Sequence, residues 1–313
     1  MLTNYHSHSH YCDGKGSPEQ QVQGAIAQGL RVFGFSSHCP VPFENQWSMK
    51  AERLADYLAE TRALKAKYEG QIELYTGLEV DFIPAPPPPS PPCDGPTQLG
   101  RGYAAPFPSE GRSRGRQGQD GTPRGIGVKD FPMLDYCVGS VHYVGLNQFG
   151  KPWEIDGSSV EFLECLDTLY DGDIRAVLQK YYGIIRQMVE TDPPQIMGHL
   201  DKIKMHNAAR ILFNESESWY VEEVEQTLQT IVKAGIIVEI NTRGNYKRGL
   251  DLYPSGWIIK RMKELQIPIC INSDSHRPEE ITASFPLAFQ TAKAAGYDEV
   301  RILLEGKWQD VGL

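Results

Sequence analysis

The six cysteines of this 313-residue sequence (12, 39, 93, 137, 165 and 270) include no Cys-x-x-Cys pair. That argues against a thiolate zinc clip, and cysteines so scattered in a chain of this length read as reduced, mostly buried thiols. No apolar run approaches the roughly 20 residues of a membrane-spanning helix. The opening Met1-Leu-Thr-Asn-Tyr-His lacks the basic and apolar regions of a secretory signal. The expectation is a cytoplasmic protein with no membrane partner. Positive charge is also scarce: 31 Lys and Arg against 40 Asp and Glu give a formal charge of −9. A binder of phosphate backbones wants a basic face, so no nucleic-acid partner is expected. A small phosphorylated substrate stays open, because a few local cations can override the global field. Protein partners stay open: the proline-rich tract at 84–127 could dock one, although proline runs more often serve as simple spacers.

What is present is alternation. Seven short β-type runs lie at about 2–8, 32–38, 72–80, 134–142, 195–199, 236–241 and 268–274. Several are near-continuously apolar, as in Gly235-Ile-Ile-Val-Glu-Ile, which is expected of strands covered on both faces. Helical patterns separate them. Ser17-Pro-Glu-Gln has an N-cap Ser, Pro at N1 and Gln at N3, and Gly29 is a plausible stop. A second helix should open at Ser48, a long one should run from about Ser159 to Glu190, and another from Ser218 should close at Gly235. The last two should cover about 255–265 and 286–295. Alternation over the whole chain favours one parallel barrel-like domain. A doubly wound open sheet would gather ligands at one switch point instead.

Residues 84–127 do not fit the alternation. They hold 11 of the 22 prolines, nine glycines and five arginines, with almost no periodic apolar residues. Such a stretch cannot bury enough surface to offset its ordering entropy. A disordered excursion and a local sequence artefact leave the same signature. The domain reading is a single barrel over 1–313, interrupted by this insertion.

Six of the eight histidines fall at, or just past, the end of a β-type run: His6, His8, His38, His142, His199 and His276. Glu79 closes another run and Asp274 lies in the last. One ligand-type residue per strand end is what a metal site at the mouth of a β/α barrel requires. In His6-Ser-His8, residues i and i+2 share a strand face, so both imidazoles reach one cation. Neutral imidazole and carboxylate together suit Zn, Mn or Fe. A lone histidine of this kind is more often a hydrogen-bonded loop residue; the ordered series is not lone.

The residues carry a resemblance. His6-x-His8 followed by Cys12-Asp13-Gly14, then Ser37-His38, Gly77-Leu-Glu79, Gly139-Ser-Val-His142, Gly198-His199-Leu-Asp201 and Asn272-Ser-Asp274-Ser-His276 resemble the motifs of the PHP (polymerase and histidinol phosphatase) family, histidinol-phosphatase branch. The resemblance implies a distorted (β/α)7 barrel holding three divalent metal ions. It implies that His6, His8, Glu79 and Asp274 hold one ion, and that Glu79 bridges to a second completed by His142 and His199. His38 and His276 would hold the third, with Asp13 as the further ligand and His10 as its rival. The implied activity is metal-dependent hydrolysis of L-histidinol phosphate in histidine biosynthesis, with Glu79, Asp274 and His276 in catalytic roles. Another phosphomonoester or nucleotide is the enzymatic alternative. A catalytically silent metal-binding module is the other, against which the nearly full ligand set argues.

Arg243, Lys247 and His206 are the candidates for contact with substrate. A guanidinium after strand six can grip phosphate bidentately; for Lys247 a solvated cationic loop is the favoured reading, and His206 reads equally as a surface residue. Glu44, Trp47 and Asp81 stand at suitable strand ends for the amino-imidazole. Trp153, Trp219, Trp257, Trp308, Tyr181 and Tyr182 read as packing residues.

Overall fold

The computed structural model describes residues 1–85, 125–207 and 211–313. Seven parallel strands lie side by side in chain order: β1 (Thr3–Asn4), β2 (Val32–Phe35), β3 (Glu73–Asp81), β4 (Tyr136–Ser140), β5 (Ile196–Met197), β6 (Ile237–Asn241) and β7 (Ile269–Asn272). A parallel bridge between Ser7 and Ser275 brings β1 against β7 and nearly closes the ring. All seven expected strands are present; six are shorter than expected, and β3 keeps nine residues, displaced by one position. β1 and β5 keep only two paired residues each, because both bend at once into loops that carry ligand-type side chains.

Helices flank the strands: α1 (Pro18–Ala27), α2 (Leu54–Lys67), α3 (Ser159–Tyr170), α4 (Ile174–Thr191), α5 (Ser218–Ala234), α6 (Arg243–Arg248), α7 (Gly256–Glu264) and α8 (Phe285–Ala294). The Ser17 capping box forms as its sequence predicts, with Ser17 Oγ accepting from Gln20 N at 3.2 Å and Gln20 Oε1 from Ser17 N at 2.8 Å. Two expectations need correction. The long helix breaks at Asp171 and Gly172, both at positive φ, and Asp173 caps the second half through Ala176 N. Ser48 does not open α2. It turns back onto Asn45 Oδ1 at 2.7 Å, and the helix starts after a short 3-10 turn at Ala51–Arg53. Two antiparallel hairpins were also not foreseen, Tyr143–Leu146 with Pro152–Glu154 and Glu299–Leu304 with Lys307–Gly312.

Tyr136 fills the barrel interior. Its hydroxyl donates to Tyr5 O (2.7 Å) and Phe35 O (2.8 Å). A Cβ at Gly34 or Gly77 would come within 2.3 or 2.6 Å of that side chain, so glycine at both positions admits it. Trp153, Tyr181 and Tyr182 are buried core residues, as read from sequence. Cys39, Cys137, Cys165 and Cys270 are buried free thiols, and Cys12 is partly exposed. No helix among the described residues is long and apolar enough to cross a membrane.

The 84–127 segment lies largely outside the described residues. Its two ends meet: Ile83 and Ile126 exchange backbone hydrogen bonds of 3.0 Å in each direction.

Candidate metal centre

A parallel barrel aims the C-terminal ends of its strands at one mouth. Here β1 delivers His6 and His8, β2 His38, β3 Glu79, β4 His142, β5 His199, and β7 Asp274 and His276. The Glu79 carboxylate is at the centre. Five imidazoles approach it: His38 Nδ1 and His199 Nε2 at 3.0 Å, His6 Nε2 at 3.1 Å, His8 Nε2 at 3.4 Å and His142 Nε2 at 3.6 Å. Asp274 Oδ1 adds contacts of 3.2 Å to His8 Nε2 and 3.5 Å to His276 Nδ1. Asp13 Oδ2 lies 3.0 Å from His276 Nε2, and its Oδ1 is 4.0 Å from His38 Nε2.

These contacts are close, yet several are not hydrogen bonds. His6 Nε2, His8 Nε2, His38 Nδ1 and Asp13 Oδ1 are buried and have no hydrogen-bond partner. Buried polar atoms are rarely left so. They face shared points rather than one another, which is how the ligands of a cation are arranged. Four groups offer ligand atoms mutually within 4.8 Å: His8, Asp13, His38 and His276; His6, Glu79 and His199; His6, His8 and Asp274; and His38, Asp81 and His142. The donor set fits divalent metal. His10 stands apart, exposed and stacked on Tyr11.

The charges show the same need. Burial resists protonation of His6, but Glu239, Glu79 and Asp274 outweigh it and hold its pKa well above the imidazole value. His142 is pushed up to about 9 against burial, chiefly by Asp81. His199 goes the other way, down to about 4, through burial and the nearby Lys202 ammonium. Burial likewise opposes ionisation of Glu79, and His6, His38 and His142 overcome it. Without metal, protons on some rings supply the positive charge that the carboxylates demand.

A supporting layer fixes these rings. Glu239, fully buried on β6, accepts from His6 Nδ1 at 2.9 Å and from the His199 backbone N–H at 2.8 Å. Asn241 and Asn272 donate to it as well. Asp81 pairs with His142 Nδ1. Asp274 adopts a left-handed φ of 53°, a costly conformation that persists where surroundings impose it. Arg243 donates to the Asp274 carbonyl at 2.9 Å, and the Tyr246 hydroxyl donates to it at 3.3 Å.

Beside the nest is a cavity of about 240 Å³, whose lining includes Asp13, His38, Trp47, Glu154, Asp156, Lys202, Arg243, Arg248, Asp274 and His276. Of the three expected substrate contacts, Arg243 faces it and two do not. Lys247 is exposed and lies 3.9 Å from Glu280. His206 is buried, stacks on Phe162 at 4.1 Å and bonds Ile155 O, so it packs the barrel wall. Glu44 is exposed and outside the lining, and Asp81 is committed to His142. Sequence reasoning missed Lys202, whose Nζ lies 3.3 Å from His142 Nε2 and 3.1 Å from Asp156 Oδ2. It also missed Glu239. The legible signal was an acid within the apolar run of β6, since a buried carboxylate has to be paired.

The chain is similar to known proteins over nearly its whole length. It is 24% identical over 298 residues to a protein of Deinococcus radiodurans named "Probable histidinol-phosphatase", covering 94% of each chain. It is 24% identical over 299 residues to histidinol-phosphatase of Bacillus subtilis, covering 88% of this chain and 94% of that one. Its fold matches histidinol phosphate phosphatase of Lactococcus lactis, solved with zinc, L-histidinol and phosphate, at a TM-score of 0.62 and 18% identity, covering 98% of both chains. The PHP domain family matches residues 4–243, and with the ring of strand-end ligands described above this chain belongs to it.

Proposed function

We propose that this protein is a metal-dependent phosphoric monoester hydrolase that converts L-histidinol phosphate to L-histidinol and phosphate. The observation that carries the reading is the set of buried, unpartnered ring nitrogens and carboxylate oxygens converging at the mouth of the barrel, next to a cavity lined by Lys202 and Arg243. The names of the relatives, along nearly full length, support the substrate.

We assign three metal positions. His6, His8, Glu79 and Asp274 hold the first; Glu79, His142 and His199 the second; His38, His276 and Asp13 the third. Divalent ions in such sites offset phosphate charge and make hydroxide available near neutral pH. The ions are Zn, Mn or Fe, as the mixed nitrogen and oxygen donors suggest. Glu79 would be shared by the first two positions. Arg243 and Lys202 orient the phosphoryl group by charge-assisted hydrogen bonds. Asp274, in the cavity wall with His276, is held ionised by His6 and Arg243 against its burial, so the proton for the leaving alkoxide would come from His276 or a bound water.

The test is phosphate release from L-histidinol phosphate, p-nitrophenyl phosphate and a nucleoside monophosphate, with chelator or with added Mn²⁺ or Zn²⁺. The expected result is turnover that chelator abolishes and metal restores, with L-histidinol phosphate strongly preferred. Metal-restored turnover without that preference would move the substrate elsewhere. No turnover by folded, metal-loaded protein would favour a silent module.

A further inference from the structure

The two carboxylate oxygens of Glu79 face different rings. Oε2 meets His38 Nδ1 at 3.0 Å, His6 Nε2 at 3.1 Å and His8 Nε2 at 3.4 Å. Oε1 meets His199 Nε2 at 3.0 Å and His142 Nε2 at 3.6 Å. The last torsion of a glutamate is broad, so a carboxylate plane turns readily unless a partner holds it. The partner here is Ser140. Its hydroxyl donates to Glu79 Oε1 at 2.6 Å, and the residue has no exposure. A hydroxyl bonded to an ionised oxygen at this distance is a strong hydrogen bond.

Three neighbouring strands build this contact. Glu79 and Asp81 are i and i+2 on β3 and share a face, as do Ser140 at the end of β4 and His142 just past it. β3 and β4 are parallel, with Asp81 opposite Ser140. Ser140 of β4 holds Glu79 of β3, while Asp81 of β3 holds His142 Nδ1 beyond β4. Each strand therefore supplies one candidate ligand and the partner of its neighbour's ligand. β5 leaves the room: a Cβ at Gly198, just past that strand, would come within 2.4 Å of Ser140 Oγ. Gly198 N donates to Gly139 O at 2.9 Å, which keeps the approach close. Both exchanged contacts end on the groups of the second metal position, Glu79 Oε1 and His142. A neutral hydroxyl suits the task, because it takes one lone pair of Oε1 and leaves the other for a cation.

We propose that Ser140 is a positioning residue for the second metal position, holding the Glu79 carboxylate so that Oε1 faces His142 and His199 while Oε2 faces His6 and His8. The inference rests on the three-position metal reading and adds the residue on which one of those positions depends. Without the hydroxyl the carboxylate is free to turn toward the Oε2 side. The second position then suffers most, because its assigned protein ligands are only Glu79, His142 and His199. The first keeps His6, His8 and Asp274, and the third makes no use of Glu79.

The test is Ser140→Ala in the full-length protein, read by bound Zn²⁺ and by Zn²⁺ affinity in competition with a chelator, neither of which depends on turnover. The unsubstituted protein should hold three ions. Ser140→Ala should bind one of them about 10- to 100-fold more weakly, the loss usual for an outer partner of a metal ligand, and keep the others. Asp81→Asn, which acts through His142, should also weaken a single ion. Ser140→Cys keeps a weaker donor of similar size and should fall between serine and alanine, and it carries the same comparison if Ser140→Ala does not fold. All affinities within about threefold of the original, or an equal weakening of every ion, overturns the role of Ser140 and leaves the metal reading intact. If the unsubstituted protein itself binds fewer than three ions, the three-position reading fails, and this inference with it.

Discussion

Glu239 shows how much a single buried residue decides at this site. It has no exposure and four donors: His6 Nδ1, the His199 amide, Asn241 and Asn272. By accepting from His6 Nδ1–H it turns Nε2 toward the nest, fixing the ring orientation and the nitrogen that is offered to a cation. Glu239→Gln keeps the volume but turns an amide donor toward other donors. Metal affinity should fall about 10- to 100-fold, the usual loss for such a supporting group, as read by competition with a chelator. Affinity within threefold of the original, in protein of unchanged Tm, would falsify this role. The residues gathered at the candidate metal centre were legible in the sequence, because each sits at a strand end with a recognisable neighbour. Glu239 and Lys202 were not, because their roles depend on which side chains another strand or loop brings to them.

At the scale of elements, the insertion and the hairpin after β4 are two of the departures from a plain barrel. The Ile83–Ile126 bridge closes the base of the insertion by itself. Excising 86–124 and joining the flanks through a short glycine linker should therefore leave the register of β3 against β4 intact. The expected outcome is kcat within about twofold of the full chain, since loop-closure entropy changes slowly with length. A tenfold fall in kcat with metal content preserved would show that the segment contributes to catalysis. The composition of the segment was plain in the sequence. The pairing of its ends was not, because two isolated residues flanked by glycine and proline carry no strand pattern. The hairpin escaped for a similar reason: Asn147-Gln-Phe-Gly-Lys joins two strands of four and three residues, too short to show a period of two.

For the whole molecule, metal binding and stability are one equilibrium, because the ligands come from six of the seven strands. A cation that binds only the folded barrel raises its Tm by mass action. Protons compete for the same rings. His142, with its pKa at about 9, and His6, also raised, carry protons at neutral pH in the metal-free protein. Each must be displaced as metal enters, so affinity gains up to about tenfold per pH unit per proton while pH stays below those values. The Tm increment caused by a fixed excess of Zn²⁺ or Mn²⁺ should then be larger at pH 8 than at pH 6, as read by scanning calorimetry with and without metal. An increment independent of pH would mean that the rings are already neutral and that the carboxylates do not hold protons on them.

Sequence alone determined the alternation of strands and helices, the seven-strand count, the family and the residues able to bind metal. These are local properties: hydrophobic period, caps, and donor chemistry placed at strand ends. The tertiary structure decided which nitrogen of each histidine faces the nest, which acids hold the rings, that Arg243 faces the cavity while Lys247 and His206 do not, and that Glu154 lines the same cavity from a hairpin the sequence did not announce. Those facts depend on how the closing sheet and the loops turn side chains in three dimensions, and residues such as His6 and Glu239, which are 233 positions apart, leave no mark of their contact in the order of the chain.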